Sequence, residues 1–151
     1  MSDIKETLRE TIAEVLETFA FLFADPGEDV VLPEKPGAFR YASVNFSGAS
    51  GQGFVFICAD FDICAELAAN VLGVEPGEVD EKCSSDALGE LVNIVAGSVL
   101  ARLFGVEEVC DLTAPDVCVV DGGKVRELVA DRGNVRLMID DRLLTAGAVM
   151  A

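Results

Sequence analysis

Four residues on one predicted helix have the types and spacing to do chemistry together. They are separated by four, three and four positions, and they are Asp86, Glu90, Asn93 and Gly97. When residues 84–104 are projected at about 100° per residue, these four fall on one narrow line, opposite an apolar stripe. The stripe consists of Leu88, Val92, Val95, Val99 and Leu103. We therefore expect the line to face outward, where a carboxylate can bind a cation and a carboxamide can orient a water molecule.

The composition of this line bears on two interpretations. A solvated polar face is the simplest one, because every amphipathic helix has such a face. However, Asn93 is unfavourable in the middle of a helix, and Gly97 costs about 1 kcal/mol relative to alanine. The line also contains no lysine or arginine that could form i,i+4 ion pairs with its carboxylates. These features favour a docking and water-positioning site, with the glycine clearing space one turn beyond the asparagine.

The charge and composition of the chain exclude several classes of function. Eleven Lys and Arg residues against 27 Asp and Glu residues give a net charge of −16, so nucleic acids and anionic membrane surfaces would be repelled. The absence of histidine excludes Ser-His and Cys-His nucleophilic pairs and the usual zinc sites that contain histidine. An enzyme of this composition would work with carboxylates, amides, hydroxyls or thiols, or with groups of a partner.

The cysteines and the first residues indicate a cytoplasmic protein. The five cysteines are odd in number and form no Cys-x-x-Cys pair, so we expect buried free thiols in a reducing compartment. Residues 1–6 lack the basic-then-apolar pattern of a signal peptide. No uninterrupted apolar stretch approaches the length needed to cross a bilayer.

Hydrophobic periodicity and turn residues predict the elements that position the line, within a single domain over residues 1–151. Helices are predicted over Ile4–Phe23, from Asp60 or Asp62 through Leu72, and from Ser84 or Ser85 to Phe104. A hairpin of Arg40–Phe46 and Gly53–Cys58 is predicted, with later strands at Val117–Val120, Val125–Ala130, Val135–Ile139 and Leu143–Val149. A proline-containing surface loop is predicted from Asp25 to Gly37. This order predicts an α+β fold, a mainly antiparallel sheet with long helices packed on one face.

The pattern Asp86-x-x-x-Glu90-x-x-Asn93 resembles the active-site signature of the CheC/CheX/FliY family of chemotaxis phosphatases, and is most similar to that of CheX proteins. The likeness covers nearly the whole chain, including the amphipathic first helix, the hairpin and the signature helix. Residues Leu112–Val117 are similar to the family's strand-entry segment around a proline. The resemblance implies a phosphatase that accelerates hydrolysis of the aspartyl phosphate of a CheY-type response regulator.

The resemblance also implies a role for each site residue. Glu90 would engage the conserved lysine of the receiver, and Asn93 would enter the receiver's active site and orient the attacking water. Asp86, at a variable position of the motif, and Gly97 would have supporting roles. The chain would need no cofactor of its own, because the Mg²⁺ would belong to the receiver.

The first helix contains a weak echo of the signature. Residues 12–17 align without gaps with residues 88–93, and this places Glu14-x-x-Glu17 where a two-site relative would carry a second Glu-x-x-Asn. A glutamate at the second position offers no donor amide and adds negative charge beside an anionic acyl phosphate. One functional site is therefore expected.

A CheX-like chain with one site also implies a homodimer. Late apolar strands over Val135–Ile139 and Leu143–Met150 could lie at a sheet edge and pair with a second copy. Repulsion between two chains of net charge −16 opposes association, and salt should screen this repulsion.

Two other functions stay open from the sequence. A non-catalytic module could use the same helix face to bind a receiver or a flagellar-switch partner. A structural or small-ligand protein could carry the polar stripe with no function in it.

Overall fold

Seven strands form one antiparallel sheet in the computed structural model, which describes residues 4–27 and 39–150. The strands are β1 (Asp25–Pro26), β2 (Phe39–Gly48), β3 (Gly51–Asp60), β4 (Cys110–Leu112), β5 (Asp116–Val120), β6 (Val135–Ile139) and β7 (Arg142–Met150). The helices are α1 (Ile4–Ala20), α2 (Phe61–Leu72), α3 (Glu81–Phe104) and α4 (Gly122–Ala130). The strand order is β1-β6-β7-β3-β2, and both β4 and β5 pair with the outer side of β2. The predicted α+β fold, with long helices on one face of an antiparallel sheet, is confirmed.

The β2–β3 hairpin forms the centre of the sheet. Its strands pair from Phe39 opposite Asp60 to Gly48 opposite Gly51, so the predicted hairpin is confirmed and is longer at both ends. Side chains of β3 alternate between the two faces. Val55, Ile57 and Ala59 join the core under the long helices, whereas Phe56 and Cys58 face the other side.

Helix α3 is the central helix of the core and packs against α1, α2 and the sheet. Of the predicted apolar stripe, the first four members are fully buried and only Leu103 is half-buried. Leu91, Ala96 and Leu100 are buried as well, so α3 is covered on more than one side. Its length and composition would suffice for a membrane span, but core helices pass the same test, and here the apolar side chains pack inside the protein.

Residues 125–130, predicted as a strand, form most of helix α4. The helix begins there because an Asp121 Oδ1 accepts a hydrogen bond of 2.9 Å from the Lys124 N–H, which caps its first turn. Val125 and Leu128, spaced three residues apart, are buried on the face of the sheet opposite the long helices. They pack there in one cluster with Phe39, Phe56, Cys58 and Leu143.

Two helix ends also differ from the predictions. Helix α1 ends at Ala20 rather than Phe23, because the backbone turns at Phe21 into the left-handed region, with φ of 55°. Helix α3 is capped by Asp80 rather than by Ser84 or Ser85. A carboxylate oxygen of Asp80 accepts from the Cys83 N–H at 2.8 Å, and this hydrogen bond keeps the pKa of Asp80 below its usual range. The predicted cap of α2 at Asp60 and its stop at Gly73 are confirmed.

Of the two late strands predicted to lie at a sheet edge, β7 lies mostly inside the sheet. Strand β7 lies between β6 and β3 in the sheet, so residues 144–146 are paired on both sides, whereas residues 147–150 pair with β3 only. Strand β6 is followed outward only by the two-residue β1, which pairs with Leu137 and Met138. Strand β1 also replaces the start of the predicted surface loop, and the rest of that loop, residues 28–37, lies outside the described residues.

Burial of the cysteines is confirmed for only two of the five. Cys58 and Cys64 are fully buried, and burial raises the pKa of each thiol to about 12, so both are protonated at neutral pH. Cys83 and Cys110 are half-buried and Cys118 is exposed, and all five are free thiols.

Candidate functional site

The signature line lies along the solvent-facing side of α3, as the projection predicts. Asp86, Glu90 and Gly97 are exposed and Asn93 is half-buried. Because the opposite side of α3 is buried in the core, these four residues stand on a rigid support rather than on a loop. The structure thus brings all four sequence-predicted site residues onto one accessible surface.

Asp86 is the one member of the line that has an ion-pair partner among residues 4–27 and 39–150. The Lys82 ammonium lies 3.2 Å from its Oδ2, one helical turn earlier, and both side chains are exposed. The expectation of a line without an i,i+4 cation is therefore wrong, because α3 begins early enough to include Lys82. An exposed pair of this kind contributes little to stability.

Glu90 and Asn93 are not engaged by other side chains. Across residues 4–27 and 39–150, no side-chain hydrogen bond or salt bridge involves either of them. The carboxylate and the carboxamide therefore keep their hydrogen-bonding capacity for a partner. They are three residues apart, on neighbouring turns of the same side of the helix, so one partner surface can contact both.

Gly89 is a close-packing position beside the signature line that the sequence analysis missed. A Cβ built at this position would lie 3.3 Å from Pro115 Cγ and 3.4 Å from Val117 Cγ2, tighter than most real contacts. Glycine therefore lets α3 lie close to the chain that enters β5, immediately beside Glu90. A glycine inside a helix was visible in the sequence, but nothing local indicated that the Leu112–Val117 segment lay against it.

Gly97 is placed differently from Gly89. A Cβ built at Gly97 meets no atom within 4 Å, so the space above it is open. Within the described part of the chain, packing gives no reason for a glycine here. The cleared surface expected from the sequence is present.

The echo of the signature on α1 differs from the signature on α3 in its ion pairing. Glu14, at the position that matches Glu90, forms an ion pair with Arg102 near the C-terminal end of α3. Glu17, at the position that matches Asn93, is exposed. The carboxylate of Glu14 thus has a partner, whereas no side chain in the described part of the chain pairs with that of Glu90.

A groove with a volume of about 520 Å³ adjoins the signature line between α1, α2 and α3. We call it the three-helix groove. Its walls include Phe19, Val71, Leu72 and Ala87, with Asp86 and Glu90 also lining it. The sequence did not reveal this groove, because its residues come from three separate helices.

Metal-binding residues do not cluster in the part of the chain that is described: no three Cys, Asp or Glu side chains there are arranged to hold an ion.

Comparison with known proteins identifies the family. Residues 40–144, which include the signature line and most of the sheet, match the family of chemotaxis phosphatase CheX. The chain belongs to the CheX family. Comparison with curated protein sequences found no match.

Solved structures with the CheX fold superpose on nearly the whole chain. CheX from Desulfovibrio desulfuricans has a TM-score of 0.71 at 15% identity, covering 99% of this chain and 100% of that protein. CheX from Vibrio vulnificus has the same TM-score at 19% identity, covering 99% and 97%. The CheX of Borrelia burgdorferi, solved as a CheX-CheY-BeF3-Mg²⁺ complex, has a TM-score of 0.63 at 18% identity, covering 98% and 97%. At these identities the likeness establishes the CheX fold.

We predict that Gly97→Ala stabilises this CheX-family protein by about 0.5–1 kcal/mol, because alanine is the better helix former and its methyl group meets open space. The free energy of unfolding from urea denaturation measures this. Gly89→Ala is the matched control, and we expect it to gain less or to lose stability because of its contact with Pro115. A Gly97→Ala variant less stable than the wild type would show that the glycine has a structural role.

Proposed function

We propose that this CheX-family protein is a phosphatase that accelerates hydrolysis of the aspartyl phosphate of a CheY-type response regulator in the cytoplasm. The observation that carries the proposal is the pair formed by Glu90 and Asn93, accessible on a rigid helix and not engaged by other described side chains. Membership of a chemotaxis phosphatase family supports the reaction, and the Borrelia burgdorferi complex supports the kind of partner.

In the proposed reaction this chain forms no covalent bond with the phosphoryl group. A water oxygen attacks the phosphorus, the bond between phosphorus and the aspartyl oxygen breaks, and the products are inorganic phosphate and the free aspartate. Catalysis of phosphoryl transfer depends mainly on positioning and on stabilisation of charge. The side-chain amide of Asn93 can hold the water in line without a change in its own protonation.

Glu90 supplies the anchoring contact in this proposal. Its carboxylate accepts hydrogen bonds from the lysine ammonium of the receiver, a charge-assisted interaction that fixes Asn93 relative to the phosphoryl group. Asp86, already beside Lys82, has at most a supporting role at the edge of the contact. The Mg²⁺ would belong to the receiver, where it would neutralise charge on the phosphoryl group.

We predict that Asn93→Ala lowers the catalysed rate of phosphate loss at least about 100-fold, since the group that positions the water is removed. The rate is measured by following a phosphorylated receiver with and without the protein, and circular dichroism checks the fold. Glu17→Ala, at the matching position of α1, is the control and should keep the wild-type rate. Full activity of a folded Asn93→Ala variant that still binds the receiver would remove the water-positioning role. Binding by the wild type without any acceleration would instead indicate a non-catalytic interaction module.

We predict that Glu90→Ala weakens docking by about 1.5–3 kcal/mol, the usual contribution of a hydrogen bond to a charged group, which corresponds to a KM roughly 10–100-fold higher. Glu90→Gln should be intermediate. Glu14→Ala is the matched control on α1: it breaks only the exposed pair with Arg102, so activity should change little. Equal damage from Glu14→Ala in a folded variant would contradict the single-site interpretation.

We also propose that the protein is a homodimer, as the resemblance to CheX proteins implies. Among the described strands, edges that could pair with a second copy remain on β4 and β5 at one end of the sheet. At the other end they remain on the part of β6 that the short β1 leaves uncovered and on residues 147–150 of β7.

We predict a light-scattering mass of twice 15.9 kDa, with tighter association at higher salt, because salt screens the repulsion between two chains of charge −16. A monomer at micromolar concentration in both low and high salt would contradict the dimer.

A further inference from the structure

We propose that the three-helix groove binds an apolar side chain of the receiver, presented beside the lysine that Glu90 contacts. The proposal rests on the proposed function, because the receiver is the occupant. It assigns Val71 and Leu72 as residues that determine how tightly a receiver binds and which receiver is bound, although neither lies in the signature.

Exposed apolar side chains concentrate at the end of the molecule that contains the groove. Of the ten large hydrophobic residues exposed among those described, five belong to the C-terminal ends of α1 and α2 or follow directly after them. They are Phe21, Phe23, Val71, Leu72 and Val74. Exposed apolar residues that cluster in this way mark contact surfaces rather than ordinary solvent-facing positions.

The backbone of this surface is held in place before any partner arrives. The Asn70 side chain donates a hydrogen bond of 2.8 Å to the Ala20 carbonyl, which joins the ends of α2 and α1. Immediately afterwards Phe21 adopts φ of 55°, a conformation that bulky residues rarely accept, while 71% of its surface stays exposed. A surface fixed in this way loses less entropy on binding than a mobile one.

The charges around the groove select what can occupy it. Asp86 is paired with Lys82, Glu90 has no described ion-pair partner, and the described residues that line the groove include no basic side chain. An occupant that fits therefore brings one cation for Glu90 together with an apolar group for the walls formed by Val71 and Leu72. A receiver docked through its lysine satisfies the first condition, and an apolar side chain next to that lysine would satisfy the second. A second copy of this chain, with its net charge of −16, is a poorer match.

The test is the double variant Val71→Ser/Leu72→Ser, with Val149→Ser/Met150→Ser as its matched control. The exposed fractions of the two pairs are similar, 44% and 58% against 42% and 37%, so both variants should fold. The groove variant should raise KM for the phosphorylated receiver about tenfold, the change that follows from losing roughly 1.4 kcal/mol of apolar contact. Its kcat should stay within about twofold of wild type, because the two substituted side chains have no assigned contact with the attacking water or the phosphoryl group. The control should leave both constants unchanged.

Binding to the beryllofluoride-loaded receiver, measured by calorimetry, separates this proposal from the phosphatase. Weaker binding of the groove variant supports the groove even if the wild type proves to have no catalytic activity. If the groove variant keeps the wild-type KM and affinity, the proposal for the groove is wrong, and the phosphatase proposal is unaffected. A wild type that binds no receiver overturns both proposals. A change in oligomeric mass caused by the groove variant, with unchanged receiver affinity, assigns the groove to contact between copies and also overturns the proposal.

Discussion

Burial of α3 between two helices and the sheet is the constraint on which the candidate site depends. The buried side of α3 provides much of the core, so the helix cannot rotate or bend without loss of packing. The exposed side therefore presents Glu90 and Asn93 in a fixed relation to each other. Gly89 strengthens this constraint, since it allows the helix to approach Pro115 closely at the level of the site.

The net charge of the protein provides no attraction to the proposed receiver, so specificity has to come from local contacts. Receivers are commonly acidic, so a chain with net charge −16 gains no long-range attraction to them. Short-range complementarity must then carry the proposed interaction with a receiver, and a contact that combines a carboxylate with apolar walls fits this requirement. At physiological ionic strength the repulsion between exposed charges is screened beyond about 8 Å, which leaves such contacts free to form.

Features set by local sequence were predictable, and features set by contacts between distant segments were not. The outward line on α3 follows from residues spaced along one helix, and the β2–β3 hairpin follows from two apolar runs around a glycine-containing turn. Residues 125–130 are predicted as a strand because they are a mostly apolar run between two turn sequences, but the cap at Asp121 and the burial of Val125 and Leu128, three residues apart, make them a helix. The Glu14–Arg102 pair joins residues 88 positions apart, and the three-helix groove needs the tertiary arrangement of three helices.

The Glu14–Arg102 ion pair bears on how readily a second site could evolve on α1. Exposed pairs of this kind contribute only about 0.2–1 kcal/mol, so Arg102 would compete with a receiver's lysine by a factor of roughly five at most. The larger obstacle is the negative charge of Glu17. Replacing glutamate by asparagine at position 17 would create a Glu-x-x-Asn pattern there. Every glutamate codon differs from every asparagine codon at its first and third bases, so this one substitution needs two nucleotide changes, and the intermediate codons, which encode lysine or aspartate, carry no amide.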